Sequence, residues 1–387
     1  MTKKIICMLL AAIMLLSFTA CKKEEATGDD TTIAETKPEK ETAKETEVQT
    51  EAETEPVVVE PDFINPLTGL ETSVDLSARR PVSVMVNNIG VSLPQSGISY
   101  ADIIFECLAE GGITRLMMIS TEYENLPKIG SVRSARDYYI DYAESYDCIF
   151  MHAGGSTYAY DTIATRNTDN IDGVNGPSIA GTYLRDQDRL NAGYAFEHTL
   201  FLQGGAAIQN AISGLGYRAT RAEGYETPVT FAKWGETVEL DKKATHIGVN
   251  VSNYQYVDYV YDEESGKYLR YQYNGQPHID YSNNEQLAFE NVIIIYNDCG
   301  AISGDAKNRI WMQTTGEGNA YYITNGTYTT ITWKKENHNS LLKFYYADGT
   351  EVELNRGKTM INVVPNTNRD FTVFDDETSK FTPANAE

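Results

Sequence analysis

Through the first half of the chain, apolar residues gather in short runs separated by turn-forming residues. The runs at 81–87, 101–105, 113–120 and 148–152 are apolar at successive positions rather than strictly alternating, the pattern of strands covered on both faces. Between and after them the period lengthens. Segments near 135–146, 157–165 and 206–215 read as helices. In the first of these Tyr138 and Tyr142, with Tyr139, Ala143 and Tyr146 on the adjoining stripe, predict the buried side. Ser134-Ala-Arg-Asp137 has the Ser-x-x-acid form of a helix start. Strands and helices mixed in this order predict a layered α/β domain over residues 62–226.

From Thr227 the helical signals nearly vanish. Stretches at 245–251, 256–261, 268–273, 292–296, 310–313, 321–324, 329–333, 341–345 and 359–364 read as strands, several separated by turns such as Asn325-Gly326 and Asp348-Gly349. They predict a smaller, mostly β domain over 227–375, followed by a polar tail at 376–387. The class is therefore α+β, with a mixed α/β first part. Strand order is not written in such local signals.

Ahead of these domains, residues 1–21 have the form of an export signal: Lys3 and Lys4, an apolar run at 5–16, then small residues before Cys21. The run is too short for an ordinary membrane span. Thr19 and Ala20 before the cysteine resemble a bacterial lipobox, although Phe18 stands where leucine is usual. Cleavage there would make Cys21 the lipidated first residue, carrying palmitate and holding the protein to the extracytoplasmic face of the cell membrane. An ordinary signal peptide and an uncleaved anchor are the alternatives. Residues 22–61 are Glu, Thr, Lys and Ala with almost no large apolar side chains, so they are expected to form a disordered acidic tether. Its reach is roughly 35 Å on average.

The formal charge of −23 is acidic throughout, which excludes nucleic acid and anionic lipid headgroups as partners of the surface as a whole. Any anion site must be local. One candidate lies between residues 105 and 155. Glu106 and Glu110 precede Gly111-Gly112, Arg115 is embedded in the following strand, and Arg133 and Arg136 fall at the amino end of a helix. Exposed N–H groups make that end positive, so cations there need a negative companion. Glu106, Glu110 or Asp137 could supply it internally, or a phosphate or carboxylate ligand could.

His152-Ala-Gly-Gly-Ser156 follows a strand, and both of its polar residues carry two readings. Ser156 reads as a helix cap or a ligand contact; His152 reads as a buried hydrogen-bonded residue or a base beside Asp161. The histidines match no metal-binding spacing, and no cofactor fingerprint is present, so neither metal nor cofactor is expected. Cys107, Cys148 and Cys299, an odd and widely spaced set, suggest buried thiols rather than a disulfide framework. Tyrosines between 254 and 273 fit either cross-strand packing or an exposed ladder for sugars or a protein partner.

The stretches RPVSVMVNN from Arg80, PQSGISYADIIFE, EGGITRL, IGSVRSARDYY and HAGGS, in that order, resemble the YerB-like bacterial lipoproteins, whose two domains are catalogued as domains of unknown function. The resemblance covers residues 65 to the carboxyl end. This chain has Ser131 where that family usually has proline, and Glu197-His198-Thr199 where Pro-His-Asn is usual. The family also tends to carry an arginine before this histidine, which implies that Arg189 and His198 line the same crevice as Arg115, Arg133 and Arg136. The resemblance implies no established activity. Three classes stay open: a binding or scaffold lipoprotein of the cell envelope, an envelope phosphotransferase or hydrolase acting on a phosphorylated or acidic glycan, and a solute receptor. The first, with an anionic ligand, a cell-wall glycan or an envelope protein as partner, is the leading expectation.

Overall fold

Three strands of the first segment form the middle of a large sheet: β1 (Val82–Asn87), β2 (Ile103–Leu108) and β3 (Thr114–Ser120). β3 runs antiparallel to both β1 and β2, and Ile149–His152 adds parallel to β1. The computed structural model describes residues 59–375, so the expectations for the export signal, Cys21, most of the tether and the tail fall outside the described residues.

Among the described residues the sheet has eleven strands and draws on both segments. Thr359–Pro365, near the end of the described chain, lies parallel to β2 on one side and to Asn291–Asn297 on the other. Beyond Asn291–Asn297 follow Gly316–Thr324 and Thr327–Lys335, paired as a hairpin through Asn325-Gly326. The residues on either side of the boundary expected at 226/227 thus share one hydrogen-bonded sheet.

Four α-helices are present among the described residues, α1 (Asp137–Ser145), α2 (Thr157–Arg166), α3 (Gln187–Asn191) and α4 (Gly205–Gly214), all in the first segment. The α+β reading, with α-helices confined to the first part and a β-rich second part, is what the fold shows. One face of the sheet packs Met85, Phe105, Ile293 and Trp333 against α1 and α2, with Tyr138, Tyr139, Tyr142, Ala143 and Tyr146 all buried as their spacing predicts. The other face packs Val84, Ile104, Met118 and Ile294 against α4 and a second sheet built on His246–Asn250, Tyr256–Asp262 and Lys267–Gln272.

Two boundaries differ from expectation in ways that matter for chemistry. β2 continues through Glu106 to Leu108, past the point where a carboxylate argues for a strand end. Helix α1 starts at Asp137 with Arg136 in the cap position, and Ser134 does not cap it. Residues 133–135 are instead held extended: Arg133 N–H donates to Met85 O at 2.9 Å, and Ala135 N–H to Gly154 O at 2.9 Å. Tertiary hydrogen bonds override the local capping signal.

Among the described residues the three cysteines are free thiols, Cys107 and Cys148 buried and Cys299 half-buried. Tyr259 and Tyr268 are buried and Tyr254 and Tyr256 exposed, so packing claims much of the tyrosine-rich hairpin.

Candidate functional site

The extended 133–135 segment lies beside 153–156, joined by Ala153 N–H to Arg133 O at 3.0 Å and Ser156 N–H to Ala135 O at 3.2 Å. This pairing sets the starts of α1 and α2 side by side. Ser156 is the cap of α2, its Oγ accepting from Ala159 N–H at 3.0 Å. Arg136, at the start of α1, donates from Nε to Glu110 Oε1 at 2.5 Å and from Nη1 to Ala135 O at 2.7 Å. Arg115 reaches the same place from β3, with Nη1 on Ser134 O at 2.6 Å and Nη2 3.5 Å from Glu110 Oε2.

Glu110 therefore bridges two arginines. Burial acts to raise its carboxyl pKa, but Arg136 and Arg115 outweigh it and hold the group below the usual carboxylate range. Burial, reinforced by Arg136, pushes the Arg115 guanidinium down to about 10. Arg133 lies close enough to be affected by both Arg136 and Glu110, yet its hydrogen bond goes to Glu197 O at 3.2 Å.

These groups open onto a cleft of about 320 Å³ lined by Glu110, Ser134, Arg136, Ser156, Lys307 and Arg309. The last two come from the loop between Cys299–Ala301 and Ile310–Met312. Arg309 is anchored by Nη1 on Thr157 Oγ1 at 2.7 Å and sits 3.4 Å from Asp305. Arg136, Lys307 and Arg309 thus face the cleft beside the amino end of α2, with Glu110 pairing Arg136 and Asp305 beside Arg309. Sequence reading missed Lys307 and Arg309, because nothing local ties a loop near residue 307 to a helix start near residue 157.

Glu106 is not part of this cleft, which corrects the expectation that it could supply the negative companion of these arginines. Across β2 and β3, Cys107 is opposite Arg115 and Glu106 opposite Leu116. Successive strand residues point to opposite faces, so Glu106 must face away from Arg115. Glu110, lying beyond the strand end, is free to fold back.

On its own face Glu106 is fully buried and hydrogen-bonded at both oxygens. Oε1 accepts from Thr114 Oγ1 at 2.6 Å, Asn88 Nδ2 at 3.0 Å and Gln255 Nε2 at 3.1 Å; Oε2 accepts from Arg270 Nη2 at 2.7 Å. Arg270 Nη1 donates to His278 Nδ1. Burial, with the adjacent guanidinium adding to it, pushes this imidazole well below its ordinary pKa, so it is neutral and donates from Nε2 to Gln95 Oε1 at 2.8 Å. Gln95 Nε2 then donates to Asn88 Oδ1 at 2.8 Å, which closes a ring of side chains back to Glu106.

The remaining candidates also separate. His152 is buried between Gly154 O at 2.8 Å and Asn170 Oδ1 at 3.1 Å, with Asp172 rather than Asp161 nearby at 3.9 Å. His198 pairs through Nδ1 with Asn87 Nδ2 at 2.9 Å, and burial together with Arg133 lowers its pKa. Arg189 binds Ser92 O at 2.7 Å and Pro94 O, and lines a different cleft with Tyr194 and Tyr281. The single crevice expected to hold Arg115, Arg133, Arg136, Arg189 and His198 is thus divided among separate positions. Arg115, Arg136 and Glu110 are the members brought into direct contact.

The Glu110 bridge has a pH signature. A carboxyl held below its unfolded pKa stabilises the fold above that value and ceases to do so as pH falls through the folded one. Glu110→Gln is expected to cost about 1–3 kcal/mol near neutral pH. The gap from the native protein should close as pH drops below about 4. Urea unfolding of both proteins across that range checks it, and a pH-independent gap would assign the loss to packing instead.

Comparison with known proteins places this geometry in a family. Residues 67–218 match the family described as "Protein of unknown function (DUF3048) N-terminal domain", and residues 247–361 match its "C-terminal domain". A curated Bacillus subtilis (strain 168) protein named "Putative lipoprotein YerB" is 29% identical over 304 residues, covering 78% of this chain and 86% of its own length. The crystal structure of YerB from Bacillus subtilis superposes with a TM-score of 0.69 at 27% identity, covering 81% of this chain and 99% of that one. With both segments matched in order and the fold shared over most of its length, the chain belongs to the DUF3048 family of YerB-like lipoproteins.

Proposed function

We propose that this protein is a membrane-anchored binding lipoprotein of the cell envelope that captures an anionic group, a phosphate or carboxylate, in the Arg136–Arg309 cleft. The lipobox-like sequence at Cys21 and the name of the YerB relative support the anchor. The observation that carries the binding role is the charge of the cleft. Arg136, Lys307 and Arg309 line it, and Glu110 and Asp305 offset two of these charges and leave one in excess, in a chain whose net charge is −23; the start of α2 adds N–H groups of the same sign. Internal pairing accounts for Glu110, yet it leaves Lys307 with no ion pair among the described residues. Ser156 commits its oxygen to the helix cap, which favours binding over nucleophilic chemistry.

Sulfate and inorganic phosphate are the probes. Either is expected to raise the melting temperature of the full-length protein beyond the effect of chloride at equal ionic strength. Lys307→Gln and Arg309→Gln should each weaken anion binding about tenfold, the loss of one charge-assisted hydrogen bond. Equal shifts with sulfate and chloride would refute the reading.

A further inference from the structure

We infer that the second cleft, lined by Tyr281, Tyr194, Arg189, Lys128, Asp186 and Asp188, is a binding site for a neutral sugar ring. It has a volume of about 360 Å³ and shares no lining residue with the Arg136 cleft, so it stands independently of the anion reading. The volume falls within the range of small-molecule sites.

Tyr281 is the central observation. The residue is 73% exposed, while its backbone is tied to the 95–99 segment. The preceding Asp280 accepts from Gly97 N–H at 2.9 Å, Ser99 N–H at 2.7 Å, Ser99 Oγ at 2.7 Å, Ser282 N–H at 2.8 Å and Ser282 Oγ at 2.7 Å. Tyr281 N–H itself donates to Gln95 O at 2.8 Å. A large aromatic face is thus presented to water on a rigid base. The backbone's share of the ordering cost is met before any ligand arrives.

The opposite wall determines what that face meets. Lys128 pairs with Asp186, and the Arg189 guanidinium is occupied by Ser92 O and Pro94 O while stacking against Tyr194 and Phe201 at 4.8 and 4.9 Å. Two cations and two carboxylates leave the cleft without net charge. An anion would meet Asp186 and Asp188; a wholly apolar ligand would leave them desolvated. The Asp188 carboxylate makes no hydrogen bond or ion pair among the described residues and is exposed, so both oxygens are free to accept. A sugar ring satisfies all three features. Its C–H face lies on tyrosine, adjacent hydroxyls donate to Asp188, and the neutral ring disturbs no existing pair.

The test uses the full-length protein titrated with three neutral oligosaccharides, chitotetraose, maltotetraose and mannotetraose, followed by calorimetry and tyrosine fluorescence. At least one is expected to bind. Tyr281→Ala and Asp188→Asn should each weaken it about tenfold. Tyr281→Trp should retain binding, and the exposed variants should melt like the native protein. Lys307→Gln should bind sugar normally, which separates failure here from failure of the anion site. Absence of binding by all three up to about 10 mM, or unchanged binding by Tyr281→Ala, overturns the inference.

Discussion

Arg270→Met is expected to destabilise the protein by about 3–5 kcal/mol, because it strands a carboxylate that has no route to water. Glu106 is fully buried and the Arg270 side chain is 1% exposed, so no solvent can take over the lost charge. The three neutral donors to Oε1 remain, but they leave Oε2 without its cation. His278 would lose the donor to its Nδ1 at the same time. Denaturant unfolding checks the size of the effect. The double variant Glu106→Gln with Arg270→Met should recover much of the loss, because it removes the charge along with its partner. A single-variant cost below about 1 kcal/mol would mean that the ring of side chains rearranges without Arg270.

Gly205→Ala should lose about 3 kcal/mol, against the usual gain from replacing glycine in a helix. A Cβ at this first residue of α4 would stand 2.0 Å from Glu124 O and 2.4 Å from both Glu124 C and Tyr123 O. All three are backbone atoms, so a rotamer change cannot make room. Either α4 or the 123–124 segment must move. Gly214→Ala at the other end of the helix is the control, since its Cβ would meet only the Ile179 side chain at 3.0 Å. Similar melting temperatures for the two variants would show that the α4 contact is softer than its geometry implies.

Residues whose partners are close in sequence were legible before the structure was known. The tyrosines of α1 face inward because a helical period alone decides it, and Ser156 caps α2 within its own turn. Residues with distant partners were not legible. Glu106 reads as a strand end until Arg270, 164 residues further on, neutralises it inside the strand. Ser134 reads as a cap until Gly154 takes the neighbouring N–H of Ala135. Lys307 and Arg309 carry no signal that a loop so far along the chain faces the helix start at Thr157. The pleat could have excluded Glu106 from the Arg115 cluster, had β2 been extended past Phe105 when the sequence was read.

The position of Thr359–Pro365 between β2 and Asn291–Asn297 governs the order in which the molecule can come into being. A strand made more than 250 residues after β2 occupies the middle of the sheet, so β2 has an open edge until residues 359–365 have been synthesised. Closing that edge brings together residues more than 250 positions apart, a slow event by topology alone. An emerging chain therefore leaves this sheet unfinished until Thr359–Pro365 is available. It also leaves a hydrophobic strand open to wrong partners for the whole of that interval.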